Sequence, residues 1–291
     1  MKYKGMVIRP PSEADSFILQ VTYGCSHNKC SFCPTYLDKP FQVREMDGIL
    51  KDIKEAEKDI SYTRRVFLAD GNAMVLSNEK LVPILDALNS GFPTLQRIGT
   101  YANADDILRK TNKELEDLVQ KKLSMIYIGL ESGNNKVLER IHKGTTVESM
   151  IEAVQKAQKA GFKVSVIGLL GLGGTDLWKE HSIDTGKAIT AMQPLYFSLL
   201  TVMIVKGTEL YTEWKEKKFV LPEPIDMIKE MRLIIENVNV SSGCIFRTNH
   251  ASNYLPLSGR FPNDKEKFLR DIDSVIKEGG ESLKPEWGRG L

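Results

Sequence analysis

At 291 residues, with 42% apolar and 27% charged side chains, the chain has the balance of a globular protein with a sizeable core, in one large domain or two small ones. A net charge of +2, with Lys and Arg spread along the chain, disfavours a dedicated nucleic-acid binder, which carries a basic excess or stripe. No run of about 18 apolar residues predicts a membrane span, and Met1 to Ser12 lacks the apolar core of a secretory signal, so a cytoplasmic location is expected.

In chain order, β-type runs alternate with segments of helical periodicity. The strand candidates are Phe17–Thr22, Val66–Ala69, Ile98–Tyr101, Met125–Leu130, Val164–Leu170, Tyr196–Met203 and Cys244–Arg247. Between them, Met46, Ile49, Leu50 and Ile53 share one helix face, as do Val147, Met150, Ile151 and Val154. Thr111 with Glu114, and Thr145 with Glu148, read as capping boxes, and Gly91 and Gly161 suit left-handed C-terminal positions. Unbroken apolar runs such as Val164–Leu170 suit parallel strands buried on both faces. The expected fold is α/β, a partial or nearly closed (β/α) barrel of six to seven parallel strands, with a doubly wound open sheet as the competitor. No linker or repeat divides the chain, which predicts a single domain over residues 1–291 with its core about 15–250. A last helix carries Phe268, Ile272, Val275 and Ile276 on one face, and the Gly279–Leu291 tail reads as irregular; together they form a C-terminal extension from about residue 262.

The chemistry concentrates in Cys25-Ser26-His27-Asn28-Lys29-Cys30-Ser31-Phe32-Cys33, directly after the first strand. In a parallel βα fold that loop opens at the C-terminal end of the sheet, where active sites are built. Clustered cysteines in a cytosolic chain read as metal ligands before disulfides. Three thiolates can hold three irons of a cubane and leave the fourth open, whereas electron-transfer clusters draw on four protein ligands. A zinc site with His27 as fourth ligand is the alternative.

This loop, with Phe32 just before the third cysteine, resembles that of the radical S-adenosylmethionine (radical SAM) superfamily, although four residues rather than the usual three separate Cys25 and Cys30. Further segments resemble the family's in its order. Phe67–Ser77 resembles the glycine-rich turn of oxygen-independent coproporphyrinogen oxidase-like members, with Ala69 and Asp70 in place of glycines. Tyr101-Ala102-Asn103-Ala104 resembles a polar stretch near SAM. Ile128–Gly133 followed by Val137-Leu138 resembles a segment of cobalamin-associated and methylthiotransferase-type relatives whose Glu contacts SAM. Val166–Gly174 resembles the apolar, Gly-rich segment beside the adenine, and Leu200–Met203 with Val205–Thr208 the sixth strand and its exit. A phosphate-loop reading of the glycines fails, since no Lys-Ser/Thr follows them.

The resemblance implies an enzyme holding a [4Fe–4S] cluster on Cys25, Cys30 and Cys33. It implies SAM beside Phe32, Asp70, Asn72, Tyr101, Asn103, Glu131, Ser132, Leu169 and Gly171. It also implies a one-electron donor such as a flavodoxin or ferredoxin, and a substrate from which hydrogen is abstracted. That substrate is expected to be a small molecule, with RNA or peptide modification as the alternative; a non-catalytic iron–sulfur or zinc protein is the reading from another class. The polar run Arg247–Tyr254 after the last strand reads as substrate recognition, with Arg247, His250 and Tyr254 as candidate catalytic groups, or else as a loop whose polar groups cap one another. His181 reads as structural, His142 as exposed and Cys244 as a small buried apolar residue.

Overall fold

Strand β1 (Phe17–Gln20) is buried at all four positions, as a strand covered on both faces must be. The computed structural model in which it is seen describes residues 3–60, 62–241 and 243–290. The chain continues through β2 (Thr22–Tyr23), β3 (Gln42–Val43), α1 (Met46–Asp59), β4 (Arg65–Ala69), α2 (Asn78–Gly91), β5 (Arg97–Tyr101), α3 (Ala104–Arg109), α4 (Asn112–Gln120) and β6 (Leu123–Glu131). It then runs through α5 (Asn135–Arg140), α6 (Val147–Lys159), β7 (Lys163–Leu170), α7 (Trp178–Met192), β8 (Tyr196–Thr201), α8 (Glu209–Lys215), α9 (Pro224–Asn237), β9 (Ile245–Arg247), β10 (Ser258–Arg260) and α10 (Lys265–Lys277).

The main sheet has the order β1-β4-β5-β6-β7-β8-β9-β10. Strands follow one another without the reversal of order that defines a doubly wound sheet, so the architecture is that of an open, partial barrel. The β1–β4, β4–β5, β5–β6, β7–β8 and β8–β9 pairs are parallel. The exception is β10, which pairs antiparallel with β9 and shows no apolar run in the sequence, being Ser-Gly-Arg. The short β2–β3 ribbon stands apart from this sheet.

The chain divides into two compact units, through both of which β6 and β7 run. The first holds Met1–Asn28, Thr35–Ile128 and Glu152–Val164. Its α1 buries Ile49 and Ile53 as the periodicity predicts. Gly91 ends α2 without a positive φ; a side chain there would strike Glu57 of α1, so the glycine serves close packing rather than a left-handed cap. Gly161, at φ +99°, does take the left-handed turn, with Phe162 N–H returning to Ala157 O. The Thr111–Glu114 capping box is complete on α4. Thr111→Ala is therefore expected to cost about 1 kcal/mol of stability, read from the urea midpoint.

The second unit holds Lys29–Pro34, Gly129–Ile151 and Ser165–Leu291. Here the cap of α6 falls on Thr146, which accepts from Ser149 N–H at 3.2 Å, instead of on Thr145, whose hydroxyl is buried without a partner. Phe268, Ile272 and Val275 of α10 are buried as expected, and Phe246, Phe261 and Phe268 stack within 5.2–5.6 Å of one another. The tail is irregular apart from one 3₁₀ turn at Glu286–Gly288, but it is pinned down. The Arg289 side chain is 1% exposed and lies over the Tyr254 ring at 4.2 Å.

Candidate functional site

In the first unit the site is built where β1 and β4 end. Gly24 N–H and Gln20 Nε2 donate to Asp70 Oδ2 at 3.2 and 3.3 Å, and Lys39 Nζ reaches the same oxygen at 2.7 Å. Asp70 is fully buried, and its Oδ1 has no protein partner. The next residue is Gly71, where a Cβ would come within 2.9 Å of Cys25 Cα, Cys25 Cβ and the Tyr36 ring. Glycine is thus what lets this turn approach the first cysteine. Buried Asn72 donates to Ser26 Oγ at 3.0 Å and to Asp106, and its own Oδ1 has no protein partner. Asn103 meets the same serine at 3.4 Å. Ser26, inside the cysteine loop and unremarkable in sequence, is therefore where Asn72 and Asn103 meet. Tyr101 ends β5 edge-on to Phe67, and burial pushes its phenol well above the usual tyrosine range.

In the second unit the loop bearing Cys30, Phe32 and Cys33 is fixed through its backbone. Ser31 N–H donates to Ile141 O at 3.0 Å, Leu210 N–H donates to Ser31 O at 2.9 Å, and Cys33 N–H turns back to Cys30 O at 3.1 Å. Glu131, at the end of β6, stands at φ +61° with its Oε1 2.9 Å from Lys143 Nζ. Ser132 is fully buried. Gly171 turns the exit of β7 at φ +88°.

Register sorts the neighbouring strands into two faces. Val166, Phe197 and Phe246 are aligned, and Phe246 meets Phe268 of α10, so this set faces the helices. The alternate set therefore faces the other way: Ile167, Ser198 and Arg247 in one row, Leu169 and Leu200 in the next. Arg247 thus shares the helix-free face with Leu169, and it is exposed. The rest of the C-terminal run divides. Asn253 is buried, donating to Leu199 O and Thr248 O at 2.7 and 2.8 Å and accepting from Thr201 Oγ1 at 2.7 Å. Thr248 and Ser252 are likewise spent within the loop. His250 is half-buried, its Nδ1 accepting from Ser252 N–H at 3.2 Å, and burial, then Lys284, lower its pKa. The Tyr254 hydroxyl donates to Glu286 Oε2 at 2.6 Å and accepts from Arg289 at 2.6 Å. Burial first and Glu286 second push it up to about 12.

The donor set fits an iron–sulfur cluster and SAM. Cys25, Cys30 and Cys33 form no disulfide and are partly exposed, whereas Cys244 is buried and pushed up to about 12 by that burial. The orphaned oxygens of Asp70 and Asn72 beside the glycine approach to Cys25 are acceptors for an ammonium group. Among the described residues no three His, Cys, Asp or Glu side chains converge on a single-ion site. No described helix is long and apolar enough to cross a membrane.

Lys143 and Lys39 were not legible as site residues, for no motif marks either. His181 was read as structural and Glu230 was not singled out, although Glu230 falls inside the apolar stripe Met227, Met231, Ile234 of α9, where a lone carboxylate signals a buried partner.

An uncharacterized protein of Methanocaldococcus jannaschii, MJ0486, is 24% identical over 98% of this chain and 81% of its own length. Coproporphyrinogen III oxidase (HemN) of Escherichia coli superposes with a TM-score of 0.58 at 14% identity, over 76% of this chain and 52% of that one. The radical SAM methyltransferase TsrM of Kitasatospora setae, solved with cobalamin and a [4Fe–4S] cluster, gives a TM-score of 0.58 at 16% identity over 69% of this chain. This chain spans only 39% of TsrM, and both superpositions are likenesses of fold. The radical SAM family model matches residues 19–185, more than half of the chain. The protein is a member of the radical SAM superfamily, an enzyme family that uses a [4Fe–4S] cluster and S-adenosylmethionine.

Proposed function

We propose that Cys25, Cys30 and Cys33 hold the cluster and that residues at the strand ends hold SAM, in a single barrel domain acting on a small substrate. The observation that carries this is the cysteine loop itself, three cysteines in no disulfide after β2 within the matched segment. Bound there, the cluster and SAM would supply one-electron reductive cleavage of the sulfonium and, with it, hydrogen abstraction from substrate. The chain's own residues bind and orient. Asp70 Oδ1 and Asn72 Oδ1 accept from the SAM amine, Glu131 accepts from a ribose hydroxyl or that amine, and Leu169 packs on the adenine. Arg247 reads the substrate from the same sheet face as Leu169, which supports an anionic or polar substrate. Tyr254, held by Glu286 and Arg289, positions the His250 loop rather than relaying a proton. A one-electron reductant such as a flavodoxin or ferredoxin completes the cycle, and the absence of a basic excess supports the small substrate over RNA.

Anaerobic reconstitution with dithionite and SAM tests the reading: release of 5′-deoxyadenosine is expected, and its absence from iron-loaded protein sinks it. Glu131→Ala is expected to weaken SAM binding by about ten- to a hundredfold, the loss of one charge-assisted hydrogen bond, with iron content unchanged. Wild-type affinity in that variant removes Glu131 from the site. Arg247→Ala and His250→Ala should keep iron, SAM affinity and uncoupled 5′-deoxyadenosine release while losing turnover of substrate. A parallel fall in SAM affinity would assign them to the cofactor instead.

A further inference from the structure

Three fully buried polar side chains in the second unit form a chain that the roles above do not use. Ser132 Oγ accepts from Asn134 N–H at 3.0 Å and lies 2.7 Å from His181 Nδ1. Across the ring, Nε2 faces Glu230 Oε1 at 3.2 Å, and that oxygen also accepts the Gly171 N–H at 2.7 Å. Nε2 makes no hydrogen bond, so it meets Glu230 Oε1 as a close polar contact rather than an aligned bond, while Nδ1 and the Ser132 hydroxyl are hydrogen-bonded. Ser132, His181 and Glu230 are each 0% exposed, which excludes a nucleophile that substrate reaches.

Such a chain is expensive. Glu230 Oε2 has no partner, and burial of a charge is often repaid only in part. A leucine at 230 would simply complete the apolar stripe of α9. What the polar chain secures is position, because its two ends are the turns leaving β6 and β7. The β6 exit is seated on α7 twice more: Gly133 N–H donates to Thr185 Oγ1 at 2.9 Å, and Asn134 Nδ2 to Asp184 Oδ2 at 2.7 Å. A side chain at Gly133 would come within 2.3–2.4 Å of the Asp184 carbonyl and Thr185 N, so helix and turn are in direct contact.

We infer that His181 and Glu230 are positioning residues that lock the exits of β6 and β7 to each other and so set the geometry in which Glu131 and Leu169 meet SAM. This rests on the proposed SAM site at those two exits.

The test uses the full chain, reconstituted anaerobically, with SAM Kd read from the change in the reduced cluster's EPR spectrum and iron measured alongside. His181→Phe removes both nitrogens at similar volume; SAM Kd should rise about tenfold or more with iron per chain unchanged. Glu230→Gln keeps an acceptor for Gly171 and should stay within about threefold of wild type, whereas Glu230→Leu should match His181→Phe. The Ser132→Ala, His181→Phe double variant should bind no more weakly than His181→Phe alone, because both cut the same contact. Wild-type affinity in His181→Phe, or additive losses in the double variant, overturns the inference and leaves the proposed function standing. A wild-type protein that loads iron yet binds no SAM overturns both. Should His181→Phe not fold, Ser132→Ala decides, and unchanged affinity there overturns the inference.

Discussion

Replacing Cys25, Cys30 or Cys33 by Ala is expected to abolish cluster binding, while Cys244→Ala retains the full complement of about four irons and four sulfides per chain. The reason is the thiolate, which is the form that ligates metal. The three loop cysteines are partly exposed, on a segment whose Ser31 backbone is held at both its N–H and its C=O. In the proposed site each would hold a different iron, so loss of any one would leave two irons without protein ligands. Cys244 is enclosed, and desolvation pushes its thiol up to about 12, so it stays protonated at neutral pH and serves packing. Iron and sulfide analysis with the visible absorption of the anaerobic protein decides the matter. Stoichiometric zinc with no capacity for iron, or cluster loss in Cys244→Ala, would overturn the assignment.

Lys39→Met is expected to destabilise the fold by about 3–5 kcal/mol, the loss seen when one partner of a buried ion pair is removed. Asp70 is 0% exposed and among the described residues Lys39 Nζ is its one cationic partner at 2.7 Å, with the Met6 carbonyl holding the same ammonium at 2.5 Å. Without the lysine, the carboxylate keeps only Gln20 Nε2 and the Gly24 N–H. Asn at position 70 removes the charge yet keeps an oxygen for those donors, so Lys39→Met with Asp70→Asn should recover a large part of the loss. Urea midpoints of the two single variants and the double variant measure this. Equal stability of Lys39→Met and wild type would show that the pair contributes nothing to the fold. Because Asp70 precedes Gly71, the turn lying against Cys25, the single variant should also load iron less completely.

The site was legible in unequal parts. The cysteine loop and the Glu131 turn stood out because their residue types are unusual at the end of an apolar strand. The C-terminal run stood out equally, yet Thr248, Ser252 and Asn253 turn inward, leaving Arg247, Asn249 and His250 for an outward role. Arg289, which holds Tyr254, lies 35 residues beyond it in a tail whose composition announces no function.

What the sequence by itself determined is the alternation of strands and helices, the placement of the three cysteines after the first strands, and faces such as those of α1 and α10. These follow from local periodicity, which every residue senses through its own neighbours three, four or two positions away. The tertiary structure decided which buried charges meet: Lys39 with Asp70, Glu131 with Lys143, and His181 between Ser132 and Glu230. It also fixed the register that sets Arg247 on the face of Leu169, and the antiparallel β10. Each of these is a pairing of groups distant along the chain, favourable only once packing removes water from around them, and no local pattern encodes it.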